Sequence, residues 1–143
     1  MRRVFKSLVL VFVLVFVFVV VSFSEEKQEK HPIDVWLEKC IEKDSSTAEM
    51  INCSNKAYEM WDKELNRVYQ ELMKKLSPEE KELLKESQRQ WLKFRDAEFR
   101  FINQIYGYEG GFYHTQRIGS KIDLVRERVL HLLDYLKEKM ISN

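Results

Sequence analysis

Two cysteines, three histidines and a few polar side chains set inside apolar stripes are the residues of this chain whose types and spacing could do chemistry. His31, His114 and His131 show no close spacing to Cys40 or Cys53, so no metal-ligand set of the usual kind is visible and no cofactor is expected. A catalytic carboxylate pair is excluded by geometry. Asp96 and Glu98 are separated by about 200° of helix turn and cannot both face one substrate. None of the histidines has a Ser or Cys nucleophile in matched context. Gly107, Gly110 and Gly111 follow no strand, so they form no phosphate-binding loop. The chain reads as a binding or structural protein and not as an enzyme.

The remaining chemistry is polar and lies inside helices. In Ser87–Phe99, S-Q-R-Q-W-L-K-F-R-D-A-E-F, helical spacing puts Leu84, Trp91, Phe94, Glu98 and Ile102 on or near one side, with Gln88 and Arg95 beside them. A cation and an amide within an apolar stripe must find partners or lose several kcal/mol of hydration. Asp62 and Asn66, one turn apart on the preceding helix, are placed to supply them. The expectation is a structural network of Asp62, Asn66, Gln88, Trp91 and Arg95, with Arg95 satisfied by Asp62, Asn66 or a carboxylate of the last helix. Loss of one partner from such a pair would cost several kcal/mol. The other use of such a segment is as a binding site for something outside the chain.

The elements that position these groups are helices. A third of the 143 residues are charged, with four Gly and two Pro, a composition that favours long solvated helices over a sheet. Pro32 opens a short helix to about Glu42, burying Ile33, Trp36, Leu37 and Cys40. Ser46 and Glu49 have capping-box spacing, and a long helix follows with the apolar line Met50, Cys53, Ala57, Trp61, Leu65, Val68, Leu72, Leu76. Ser77-Pro78-Glu79-Glu80 turns the chain and starts a third helix, antiparallel to the second, that ends at Gly107. The last helix runs from about Tyr113 to Met140. The fold class is all-α: an antiparallel helical bundle of three long helices plus one short N-terminal helix. Between helices three and four, Tyr106 to His114 places four aromatics around three glycines, either as a plain connector or as a contact surface.

Residues 1–24 have the layout of an export signal. Arg2, Arg3 and Lys6 precede an apolar run from Leu8 to Val21, and Ser22 and Ser24 suit a cleavage site after Ser24. In helical form the run spans about 21 Å, short of the ~30 Å hydrocarbon core, which favours a cleaved signal over a retained anchor. Residues 25–31 form a charged leader, and 32–143 the helical domain. The expected location is periplasmic or secreted, with no membrane span once the signal is removed. Leaving out Arg2, Arg3 and Lys6, 21 basic side chains face 23 acidic ones, a balance of −2 that makes no case for nucleic acid. In an oxidising compartment Cys40 and Cys53 read as one disulfide closing a loop of about 14 residues; the rival is two reduced core thiols.

The order of these residues resembles a known family. T-A-E-M-I-N-C ending at Cys53, D-K-E-L-N-R-V-Y from Asp62 to Tyr69, S-Q-R-Q-W-L-K-F-R-D-A-E from Ser87 to Glu98, and R-E-R from Arg126 to Arg128 together are similar to the lysozyme-inhibitor LprI-type domain. The resemblance spans about Cys40 to Leu133. It implies an exported helical domain whose partner is lysozyme or another cell-envelope protein, and inhibition by a loop that occludes the glycan cleft. Tyr108, Glu109 and Tyr113 are then the contact residues. Many members carry a second cysteine pair; here Phe99 and Ser120 stand at those places, which implies a less tethered Tyr106–His114 loop. The alternative function is a structural or envelope-interaction helical module.

Overall fold

The structure is a computed structural model and describes residues 30–141. The export signal and the leader as far as residue 29 lie outside the described residues. Four helices follow in order: α1 (Pro32–Lys43), α2 (Thr47–Lys75), α3 (Pro78–Ile105) and α4 (Gly111–Ile141). Each start is written locally. His31, placed in the leader by composition, is the N-cap of α1: its Nδ1 accepts the Ile33 N–H at 3.3 Å, and Pro32 fills the first turn. Ser46 Oγ accepts the Glu49 N–H at 3.3 Å at the head of α2. Ser77 and Glu80 form a reciprocal capping box on α3, with the Ser77 N–H donating to Glu80 Oε2 at 2.9 Å.

The last helix begins two residues earlier than its apolar spacing indicates. Gly110 adopts φ +113°, a region open to glycine, and its carbonyl accepts the His114 N–H at 3.2 Å to close the first turn. Gly111 lies so near α2 that a Cβ there would stand 2.2 Å from Thr47 Cγ2. Tyr113 and His114 are therefore helical, and the connector is shorter than the aromatic-glycine pattern suggests.

The core belongs to α2 and α4. Ala57, Trp61, Val68, Val125, Val129 and Leu132 are fully enclosed, with Leu65 and Leu72 nearly so. The small side chains at Ala57, Val68, Val125 and Val129 allow the two helix surfaces to interdigitate closely. α1 lies on α2, while α3 packs mainly on α4 and touches α2 little beyond the turn joining them. Of α3, Leu84 and Ile102 are buried, Trp91 is half-buried, and Phe94 is 52% exposed. Trp91, expected at the heart of the structural network, is thus not the centre of the bundle. The centre is Trp61, because the apolar line of α2 is used up against α4 and leaves α3 no matching face on its own hairpin arm.

Side-chain ties fasten the outer helices to α4. Arg126 makes a two-pronged pair with Asp34 of α1, Nε to Oδ2 2.9 Å and Nη2 to Oδ2 2.9 Å, which raises the Arg126 pKa. Lys139 at the end of α4 donates to Glu80. Lys139 and the Ser77 N–H together hold the Glu80 carboxyl down at about 2 against an ordinary 4.5. A depressed carboxylate contributes stability that is present above its unfolded pKa and lost as pH falls through its folded one. The difference in melting temperature between wild type and Glu80→Gln should therefore be full at neutral pH and shrink between about pH 4.5 and 2. A difference that stays constant through that window would rule the tie out as an acid-sensitive one.

Candidate functional site

The polar residues singled out on α2 and α3 do not converge as expected. Arg95 turns to its neighbour in sequence: Nε and Nη2 reach Asp96 Oδ1 at 3.0 and 2.7 Å. Its guanidinium lies 5.7 Å from the ring centres of both Trp91 and Phe99. Asn66 donates to the Asp62 carbonyl one turn back at 2.9 Å. Arg95 is consequently not satisfied by Asp62, Asn66 or α4, because α2 and α3 diverge at that level. Between them opens a groove of about 720 Å³ lined by Asp62, Asn66, Tyr69, Gln88 and Arg95 among others.

Gln88 and Trp91 do take part in a network, with α4 as the partner. Gln88 Oε1 accepts from Arg128 Nε at 3.0 Å, Ser87 Oγ accepts from Nη2 at 3.2 Å, and the Arg128 guanidinium lies 5.9 Å from the Trp91 ring centre. The cation that meets Gln88 across the α3–α4 seam is Arg128. Its place in the R-E-R triplet was the available signal, but periodicity does not say which cation meets which amide. Burial lowers the pKa of this guanidinium.

Cys40 and Cys53 form a disulfide, with Cα atoms 5.9 Å apart, fastening the last turn of α1 to the second turn of α2. Among the described residues the metal-ligand group that comes together is Cys40, Cys53 and Glu49, and the disulfide removes its thiolates.

The aromatic stretch between α3 and α4 makes a compact projecting tip. Tyr108 and Phe112 are each 66% exposed. The Tyr108 ring lies 5.0 Å from Tyr113, and Phe112 meets Tyr113 edge-on at 5.3 Å. Phe112 is one of the four aromatics expected in this stretch but not one of the contact residues the resemblance implies; it joins them because α4 starts at Gly111. Glu109 is exposed at the apex. From below, Arg117 Nη1 donates to the Tyr106 carbonyl and to the Tyr108 carbonyl, the latter at 3.3 Å. The loop is thus tethered by a guanidinium. At Phe99, Lys121 Nζ lies 5.4 Å from the ring centre, and Tyr58 packs on the ring at 6.1 Å.

No helix among the described residues is long and apolar enough to cross a membrane. Comparison with curated proteins returns no match. Among solved structures, an uncharacterised protein from Burkholderia thailandensis superposes with a TM-score of 0.71 and 31% identity over 78% of this chain. The chain spans 56% of the length of that protein. The family described as lysozyme inhibitor LprI matches residues 40–132, which include both cysteines, all of α2 and α3 and most of α4. With that match over well more than half its length, the chain belongs to the LprI lysozyme-inhibitor family.

Proposed function

We propose that the protein is exported by the signal at residues 1–24 and acts outside the cytoplasm as a non-enzymatic inhibitor of lysozyme, using the Tyr108–Tyr113 tip to occlude the glycan cleft. The observation that carries this is the tip itself, read together with the family. Two aromatic rings, Tyr108 and Phe112, remain two-thirds exposed while packing on Tyr113 and while Arg117 grips the backbone beneath. Exposed aromatics on a held backbone supply contact area at low entropic cost. Glu109 adds an acceptor at the apex, suited to a hydrogen-bonding cleft.

The test is inhibition of lysozyme turnover by the helical domain with its leader. Stoichiometric inhibition is expected at micromolar protein. Tyr108→Ala with Glu109→Ala should weaken it about 30-fold, the size of a ~2 kcal/mol hot spot, with the melting temperature unmoved. An unchanged inhibition constant would remove the tip from the mechanism, and no inhibition by wild type would remove lysozyme.

A second reading, an envelope-interaction module, draws on α3. Leu83, Phe94, Phe101 and Ile105 are all more than half exposed and fall within roughly 40° of one another around the helix. Self-association in sedimentation, abolished by Phe94→Ser with Phe101→Ser, would favour it over inhibition.

A further inference from the structure

A second surface adjoins the aromatic tip. Between the C-terminal part of α3 and the second quarter of α4 runs an open groove of about 400 Å³. Phe101, Ile105 and Leu124 form its apolar floor, and Glu98, Asp123 and Glu127 stand along it. Phe101 and Ile105 are 58% and 51% exposed, an apolar surface left open among the described residues.

The charged residues that line this groove are of one sign. No Lys or Arg lines it. Among the described residues none of the three carboxylates has a hydrogen bond or an ion-pair partner. Elsewhere in the bundle acids are paired: Asp34 with Arg126, Glu80 with Lys139, Glu64 with Arg67, Asp96 with Arg95. Asp123 and Glu127 are four residues apart on α4, a like-charge spacing that is mildly destabilising unless a cation joins them. Burial pushes the Asp123 carboxyl up, with Glu127 and Asp34 adding to the rise and Arg126 partly opposing it. The protein thus keeps a net negative rim beside exposed apolar surface, offset only in part by Arg126, which is itself paired with Asp34.

We propose that this groove seats a lysine- or arginine-bearing segment of a protein partner, the aliphatic stem lying on Phe101, Ile105 and Leu124 and the cationic head among Glu98, Asp123 and Glu127. The match is one of chemistry: a long apolar stem ending in a cation requires an apolar floor with an acidic rim. Phosphate-bearing ligands, whether nucleic acid or lipid headgroup, are repelled by the same rim. A single metal ion is not the occupant, because the three carboxylates do not approach closely enough to share one. The groove is also continuous with the tip. Tyr106 lines it, and the Arg117 that holds the Tyr106 carbonyl holds that of Tyr108 as well. One partner can engage both, the tip giving aromatic contact and the groove giving charge. The inference rests on the reading of the protein as a partner-binding one and adds the partner's chemistry; it does not depend on the partner being lysozyme.

The probe is a blocked tetrapeptide, acetyl-Leu-Arg-Phe-Arg-amide, titrated into the isotopically labelled helical domain at up to millimolar concentration and followed by NMR. Resonances of Phe101, Ile105 and Leu124 should shift. The isosteric variant Glu98→Gln, Asp123→Asn, Glu127→Gln should weaken the interaction at least tenfold while its own spectrum stays folded. Groove resonances that do not move, or that move equally in the variant, overturn the proposal. A parallel lysozyme assay separates this from the assignment above. Protein that takes the peptide in its groove but does not slow lysozyme keeps the groove and loses the enzyme target. Protein that slows lysozyme while its groove ignores the peptide does the reverse.

Discussion

Trp61→Ala should destabilise the domain by about 3–5 kcal/mol, the range for removing a large aromatic from a well-packed core. Trp61 is the largest of the fully enclosed side chains and sits at the middle of the α2–α4 seam. His31 packs on its ring at 4.4 Å and the Arg126 guanidinium lies 5.8 Å from its centre, so α1 and α4 are both organised on it. The cavity left by alanine would also loosen the seat of the His31 cap and of the Arg126–Asp34 pair. Trp91, half-buried on α3, should cost clearly less when changed to alanine, about 1–2 kcal/mol for the part of its surface that is covered. Equilibrium urea denaturation of the two variants decides the ranking. Equal losses, or a larger loss at Trp91, would mean that the core is centred on α3 after all. The Trp61 Nε1 is buried with no hydrogen-bond partner among the described residues. An orphan donor of that kind works against stability, and Trp61→Phe, which removes it, should lose less than the ring volume alone implies.

Reducing the Cys40–Cys53 bond, or replacing both residues by serine, should lower stability by about 3 kcal/mol on the chain-entropy estimate for a loop of about 14 residues. The expected fall in melting temperature is on the order of 10–20 °C for a domain of this size. The effect is large because α1 is only 12 residues long and would be marginal as a helix by itself. It is kept in place by the disulfide at its end, by Ile33 in the core with Trp36 and Leu37 packed against it, by His31 on Trp61 and by Asp34 on Arg126. In the double serine variant the α1 amides should exchange faster than those of α2 and α4, the first sign of a locally released segment. Mass spectrometry of the exported protein provides the companion check, a mass about 2 Da below that of the dithiol. A melting temperature indifferent to reductant would show that α1 is held by packing alone.

Much of the architecture could be read without coordinates. The N-caps at Ser46 and Ser77 and the proline at position 32 mark helix starts by interactions within a few residues, and the structure places α1, α2 and α3 accordingly. The apolar line of α2 from Cys53 to Leu72 was correct residue by residue, since every member is buried. The start of α4 was misplaced because the decisive feature was a positive φ at Gly110, and a cluster of three glycines does not reveal which one turns the chain. Phe112, counted among the aromatics of that stretch, was not singled out as a contact residue for the same reason. Phe94 was assigned to the inner face of α3 because helical spacing counts positions but does not measure how wide the covered side is.

Arg95 shows most clearly where local inference ends. Its place within an apolar stripe correctly implies that the guanidinium must be sheltered and partnered. Which partner it takes depends on the distance between α2 and α3, a quantity no spacing along the chain encodes. With α2 committed to α4, the neighbouring Asp96 and the rings of Trp91 and Phe99 supply what Asp62 and Asn66 do not.

By itself, then, the sequence determined what is local: four helices, their caps, the faces that must leave water, one cysteine pair and the residues that carry the family. Each depends on contacts within one or two helical turns, where chain geometry leaves few choices. Tertiary structure alone decided which faces meet, that Arg128 and not Arg95 bridges α3 to α4, and that the tip and the acidic groove share one end of the bundle. An apolar stripe states that it must be covered and is silent about what covers it, so the selection among partners comes from the fit of whole surfaces.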